Sequence, residues 1–103
     1  MSSARTKATN IKKKVKMNVH ERDNGRCIFC RESVSWNYSN AHVIPRSRGG
    51  LGIEENIITA CYPCHTKLDT SSKRLSMLED ARKHLRLFYP DYNPENYIFK
   101  KGM

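Results

Sequence analysis

Acid is scarce in this chain, glycine and proline are few, and no long apolar run occurs. Only ten of its 103 residues are Asp or Glu, against nineteen Lys or Arg, so the formal charge is +9. With 38% hydrophobic residues and a mean hydropathy of −0.73, no window approaches the roughly 18 apolar residues of a membrane span, and no apolar segment of signal-peptide type follows Met1. We therefore expect neither a membrane protein nor a classically secreted one, but a chain that works in the reducing cytoplasm. There is no internal repeat, and no low-complexity tract beyond residues 1–10. The length gives one domain whose core is thin enough to need a metal or disulfides.

Four cysteines could supply that reinforcement. They fall as Cys27-Ile28-Phe29-Cys30 and Cys61-Tyr62-Pro63-Cys64, two C-x-x-C pairs separated by 30 residues. Each pair can present two thiolates from a tight knuckle, and together they make the four-sulfur set of a structural Zn²⁺ site. Disulfides are the alternative, disfavoured in a reducing compartment. A thioredoxin-like role needs one pair inside a βαβ pattern, which is missing. The gap exceeds the usual spacing of about 15 to 20 residues, so something extra sits between the knuckles.

On either side of the cysteines the chain reads as helical. Residues 1–10 lack apolar spacing and read as a disordered basic arm. Ile11, Val15 and Val19 then recur at helical intervals as far as Arg22, with Asn10 as a plausible N-cap and Asn24-Gly25 as a stop. The first 20 residues hold Arg5, Lys7, Lys12, Lys13, Lys14 and Lys16 and no acid. That asymmetry fits either a solvated helix face or polyanion binding, and we favour the second because each neutralised phosphate releases counterions. Removing residues 1–16 is then expected to weaken polyanion binding without touching any cleft built by the residues that follow. Beyond Cys64, Ser71 or Ser72 can cap a helix whose Leu75, Leu78, Ala81, Leu85 and Phe88 face the core, ending at Tyr89-Pro90. Lys73, Arg74, Arg82, Lys83 and Arg86 take its other face. Residues 91–103 read as an extended tail that packs Tyr97 and Phe99 back on the domain.

Between the knuckles, two β-prone runs, Ala41 to Ile44 and Asn56 to Ala60, flank a loop with Gly49, Gly50 and Gly52. These glycines most simply permit positive φ. The second knuckle opens a short helix from Pro63 to Leu68 or Asp69. The order is β-β-α, with His42 on the first strand, Asn56 on the second and His65 in the first turn of the helix. If the hairpin packs on the helix, both rings can approach one cleft. His20 and His84 read as surface or capping residues, and Trp36 and Tyr38 as packing beneath the knuckle.

This arrangement resembles the HNH endonucleases, whose ββα-metal motif is commonly framed by two zinc knuckles. The likeness rests on Arg22-Asp23-Asn24-Gly25-Arg26-Cys27, on Ala41-His42-Val43-Ile44-Pro45-Arg46-Ser47-Arg48-Gly49-Gly50, on Asn56 and on Cys61-Tyr62-Pro63-Cys64-His65. Gly49 through Ile57, and Tyr89-Pro90 to Lys100-Lys101, look like small phage-borne and prophage-borne members, so the likeness covers roughly residues 15 to 101. It implies an α+β fold: a small zinc-stapled ββα-metal domain over residues 11–103, core motif 27–69, with flanking N- and C-terminal helices.

The resemblance also implies hydrolysis of DNA phosphodiester bonds around one divalent cation, Mg²⁺, Mn²⁺ or Ni²⁺. His42, Asn56 and His65 are then the candidate catalytic set. A neutral imidazole suits His42 as the base that deprotonates water, His65 matches the metal-binding position, and Asn56 matches an asparagine that holds the loop or ring of the base. Family members often carry a second ligand just before the base, where this chain has Ala41. Water and substrate phosphate could fill that position, Asp69 could supply a carboxylate four residues after His65 on the same helix face, or the site could be inactive. We favour Asp69, because the pair resembles the helix ligands of colicin-type nucleases. Arg46 and Arg48 are the nearest phosphate-contact candidates, with Lys67 on the short helix and Lys12, Lys13 and Lys14 beyond. The alternative is a non-catalytic zinc-stapled nucleic-acid-binding module. By analogy alone, the phage-type likeness points to phage packaging proteins as partners.

Overall fold

The computed structural model describes residues 3–100. Four helices, α1 (Ala4–Thr9), α2 (Lys13–Arg22), α3 (Tyr62–Thr70) and α4 (Arg74–Phe88), accompany a two-stranded antiparallel sheet of β1 (Asn40–His42) and β2 (Ile57–Thr59). The register pairs Asn40 with Thr59, Ala41 with Ile58 and His42 with Ile57. The fold is the small α+β, zinc-knuckle type expected, with β1, β2 and α3 in β-β-α order. No helix among the described residues is long and apolar enough to cross a membrane.

The N-terminal segment departs from expectation. Within residues 1–10, read as a disordered arm, Ala4–Thr9 is helical, with the Ser3 side chain accepting the Thr6 N–H at 3.1 Å as an N-cap. Asn10 is accordingly the C-cap of α1, and α2 begins at Lys13 with Lys12 in the cap position. Six residues are too few for a stable isolated helix. Tertiary hydrogen bonds supply the order instead: Arg5 Nη2 donates to the carbonyls of Arg46 (3.1 Å) and Ser47 (2.8 Å), and the Gly52 N–H donates to that of Ala8 (2.9 Å). Apolar periodicity carries no trace of such bonds.

Helix α2 ends where Asn24 (φ 59°) and Gly25 (φ 67°) turn left-handed, which leads the chain into the first knuckle. There the Cys27 N–H bonds the Glu32 carbonyl at 2.8 Å, and the Ile28 N–H reaches across to Thr59 on β2 at 3.0 Å. The apolar cluster joins Cys27, Ala41, Val43, Ile58, Ala60 and Leu68 to Met77, Leu78, Ala81 and Leu85 of α4. Leu75 and Phe88, expected in that stripe, are exposed by 76% and 44%. At 100° per residue Leu75 lies about 100° round from the stripe's centre. Phe88, at the helix end, covers the Arg22 guanidinium at 5.6 Å instead. Neither Ser71 nor Ser72 is the N-cap of α4: Lys73 occupies that position, and the Ser71 hydroxyl donates to the Lys67 carbonyl at the end of α3.

One buried ionic network ties these parts together. Arg22 places all five guanidinium N–H groups, on both Asp23 carboxylate oxygens, the carbonyls of Glu54 and Ile57, and the Tyr89 hydroxyl, at 2.8 to 3.2 Å. Asp23 also accepts from His84 Nε2 at 2.7 Å and from the Thr59 N–H at 3.0 Å. Burial raises the Asp23 pKa, but bonds from His84 and Arg22 outweigh it and hold the group at about 2. His84 and His20 are therefore more than surface residues, since His20 Nε2 is itself bonded to the Val34 carbonyl at 2.7 Å. The C-terminal stretch contains a 3₁₀ turn at Pro94–Tyr97. It docks through the Leu51 N–H on the Tyr97 carbonyl (2.8 Å) and the Phe99 N–H on that of Gly49 (2.7 Å).

Candidate active site

The loop after β1 is set by close backbone approach more than by glycine dihedrals. Gly49 alone of its three glycines has positive φ, at 83°. A Cβ on Gly50 would stand 1.7 Å from the Ile44 carbonyl oxygen, and one on Gly52 would stand 2.0 Å from that of Asn10. The completely buried Asn56 closes this loop. Its Oδ1 accepts the Ile44 N–H at 2.9 Å, and its Nδ2 donates to the carbonyls of Ile44 (3.2 Å) and Leu51 (2.9 Å). All its amide capacity but one lone pair is spent on the loop that follows His42, and none on the His42 ring.

Strand β1 and helix α3 together bring His42, His65 and Asp69 to one hollow of about 330 Å³, which Ala41, Pro45, Arg46, Ser47 and Leu68 also line. His42 Nε2 lies 2.7 Å from the Thr9 carbonyl. A carbonyl only accepts, so Nε2 carries the proton and Nδ1 is the ring's acceptor. Burial lowers the His42 pKa, the Thr9 carbonyl pulls it back, and Arg46 and His65 push it down, so the ring stays neutral below the ordinary range. Thr9 therefore does touch the cleft, contrary to the expectation from sequence: removing residues 1–16 would take away the partner of His42. Thr9 was invisible to motif reasoning because its backbone makes the contact.

On α3, His65 Nδ1 and Asp69 Oδ2 are 3.1 Å apart, both partly open to solvent. That distance is the reach of a direct hydrogen bond or ion pair between the two, and it also matches the span of about 3.0 Å between adjacent ligands of an octahedral cation with bonds of about 2.1 Å, so the pair could hold a divalent ion. Asp69 is turned to His65, whereas an Asp serving only to cap the helix end would face the Thr70-Ser71-Ser72 turn. Ala41 is buried and offers a methyl group only.

The four knuckle sulfurs lie within 4.8 Å of one another, and all four cysteines are free thiols. A tetrahedral zinc site with bonds of about 2.3 Å has sulfur–sulfur edges of about 3.8 Å, and Cys30 and Cys61 are 3.5 Å apart. Burial raises the Cys27 thiol, but N–H groups of Cys30, Cys61 and Phe29 bring it down to about 7. Burial and neighbouring sulfurs push Cys64 far up. Four thiolates cannot share this space without a cation, and the set could hold a zinc ion.

The basic candidates scatter. Arg46 lines the hollow, with Nη2 bonded to Asn10 Oδ1 at 2.6 Å. Arg48 sits beside Arg5 and Phe99, outside it. Lys67 lies next to the knuckle with Arg31, Lys73 and Lys83. Lys12, Lys13 and Lys14 are exposed at the start of α2. Tyr38, expected beneath the knuckle, is 85% exposed, in a polar hollow with Asn37, Asn40, Lys16, His42 and Arg46.

No curated protein matches the chain. A family model described as HNH endonuclease matches residues 27–78. That stretch runs from the first knuckle through the hairpin and α3 into α4 and takes in just over half of the sequence. The chain thus belongs to the HNH endonuclease family.

Proposed function

We propose that the protein is a divalent-metal-dependent endonuclease that hydrolyses DNA phosphodiester bonds, with His42 as general base. The observation that carries this reading is the His42 ring, tied at Nε2 to Thr9 in the hollow that also holds His65 and Asp69. Nδ1 takes a proton from water, the resulting hydroxide attacks phosphorus, and the P–O3′ bond breaks as the 3′ oxygen is protonated from solvent. His65 and Asp69 hold the divalent cation, which when bound stabilises the charge that builds on phosphate and leaving oxygen by several kcal/mol. Asn56 keeps the base's loop in place, and Arg46 meets the phosphate. Cys27, Cys30, Cys61 and Cys64 hold a structural Zn²⁺ that joins α2 to α3. The basic surface brings in DNA, and the phage-type likeness favours host-cell cytoplasm as the setting.

A second reading rests on Ala41, whose methyl group stands where family members often place a ligand: a binding module that has lost catalysis. Purified protein incubated with plasmid and Mg²⁺, Mn²⁺ or Ni²⁺ separates the two. We expect nicked or linear product that disappears with chelator and in His42→Ala. Tight binding with intact plasmid under every metal would establish the binding module.

A further inference from the structure

We propose that the N-terminal segment, Ser3 to Lys12, is a positioning strap for the base: seated on the loop after β1, it sets the tautomer of His42 through the Thr9 carbonyl. The inference rests on the reading of His42 as base. Its support is the convergence of separate contacts on the base and on the loop that follows it. Thr9 holds His42 Nε2 at 2.7 Å. Arg5 bridges the carbonyls of Arg46 and Ser47, and Arg46 reaches back to Asn10. Gly52 donates to Ala8, and its missing Cβ is what lets the Asn10 backbone lie down on the loop. The Thr9 hydroxyl is spent within α1, on the carbonyls of Arg5 and Thr6, so the segment offers His42 its backbone oxygen.

The chemistry needs such a partner. A neutral imidazole exchanges its proton between two nitrogens, and only the tautomer with Nδ1 unprotonated can take a proton there. A ring without a fixed acceptor at Nε2 divides its population and turns more freely. Helix α1 is too short to persist alone, so its seat depends on the contacts just named, while Asp23, the apolar cluster and the knuckles hold the remainder of the fold. Thr9 is thus a positioning residue acting through His42.

Gly52→Ala in the full chain tests this, because the new methyl collides with the Asn10 carbonyl and removes no charge. Three measurements are made: the ¹⁵N shifts of the His42 ring, the single-turnover cleavage rate at saturating DNA, and the DNA concentration giving half that rate. We expect wild type to show one tautomer, protonated at Nε2, and Gly52→Ala to show both. The saturated rate should drop by roughly 10- to 100-fold, the usual effect of losing a group that orients a catalytic ligand or base, with the half-saturating concentration little changed. Arg5→Ala, which removes only surface bonds, should move both readouts the same way by a smaller factor, and it decides the matter if Gly52→Ala does not fold. An unmixed tautomer in the variants, whatever their rates, overturns the strap. Cleavage surviving in His42→Ala would instead remove the base assignment, and the ring shifts would still report on the strap.

Discussion

His42 and His65 share a hollow but are asked for different chemistry, and truncation should tell them apart. His42→Ala removes the proton acceptor while His65 and Asp69 remain. Divalent-cation binding should therefore persist as cleavage falls by about 10² to 10⁴, the contribution of a positioned base. His65→Ala should weaken cation binding itself, and Asp69→Asn should follow His65→Ala. Calorimetric titration of Mn²⁺ into the three variants reads this directly, and a His42→Ala protein unable to bind the ion would exchange the two roles. Residue types and motif spacing were enough to nominate His42, Asn56 and His65. The partner of His42 was not legible, since any residue could present the carbonyl that Thr9 presents.

Among the elements, the knuckles and the Asp23 network hold different joints. Cys61 caps the start of α3 and closes on Cys30 of the first knuckle. Cys61→Ser should lose zinc, measured as bound metal per chain, and with it the helical signal. A folded, metal-free variant would show the site to be dispensable. The Asp23 network sets acid stability. Its folded pKa of about 2 lies below the ordinary 3.8, so its share of stability is complete above about pH 4 and is lost as pH falls toward 2. The shift corresponds to about 2 kcal/mol. Chemical denaturation at pH 6 and pH 2.5 should reveal this loss in wild type and a smaller one in Asp23→Asn.

Elements marked by local pattern were legible: the turn at Asn24-Gly25, the two knuckles, the hairpin, and α3 with Pro63 in its first turn. What escaped was whatever distant residues stabilise. Helix α1 is ordered by carbonyls more than forty residues away, and Leu75 obeys helical spacing yet misses the face that α4 buries.

Taken whole, the molecule carries +9, and its lysines at the start of α2 are exposed. Replacing Lys12, Lys13 and Lys14 with alanine should flatten the slope of log DNA affinity against log salt by roughly 0.9 for each phosphate that is no longer neutralised. The cleavage rate on saturating DNA should hold, because the side chains that seat Thr9 stay. An unchanged slope would leave these lysines as solvated bystanders.

Arg22 reaches across the same whole. Its five N–H groups end on α2's own Asp23, on the backbone before and within β2, and on Tyr89 past α4. Each of these bonds slows the entry of deuterium into that guanidinium, and all five are open at once only when those parts separate together. Its protons should consequently behave as a slow isotopic clock, ticking at the rate of the rarest, most complete opening of the chain while amides in α1 exchange early.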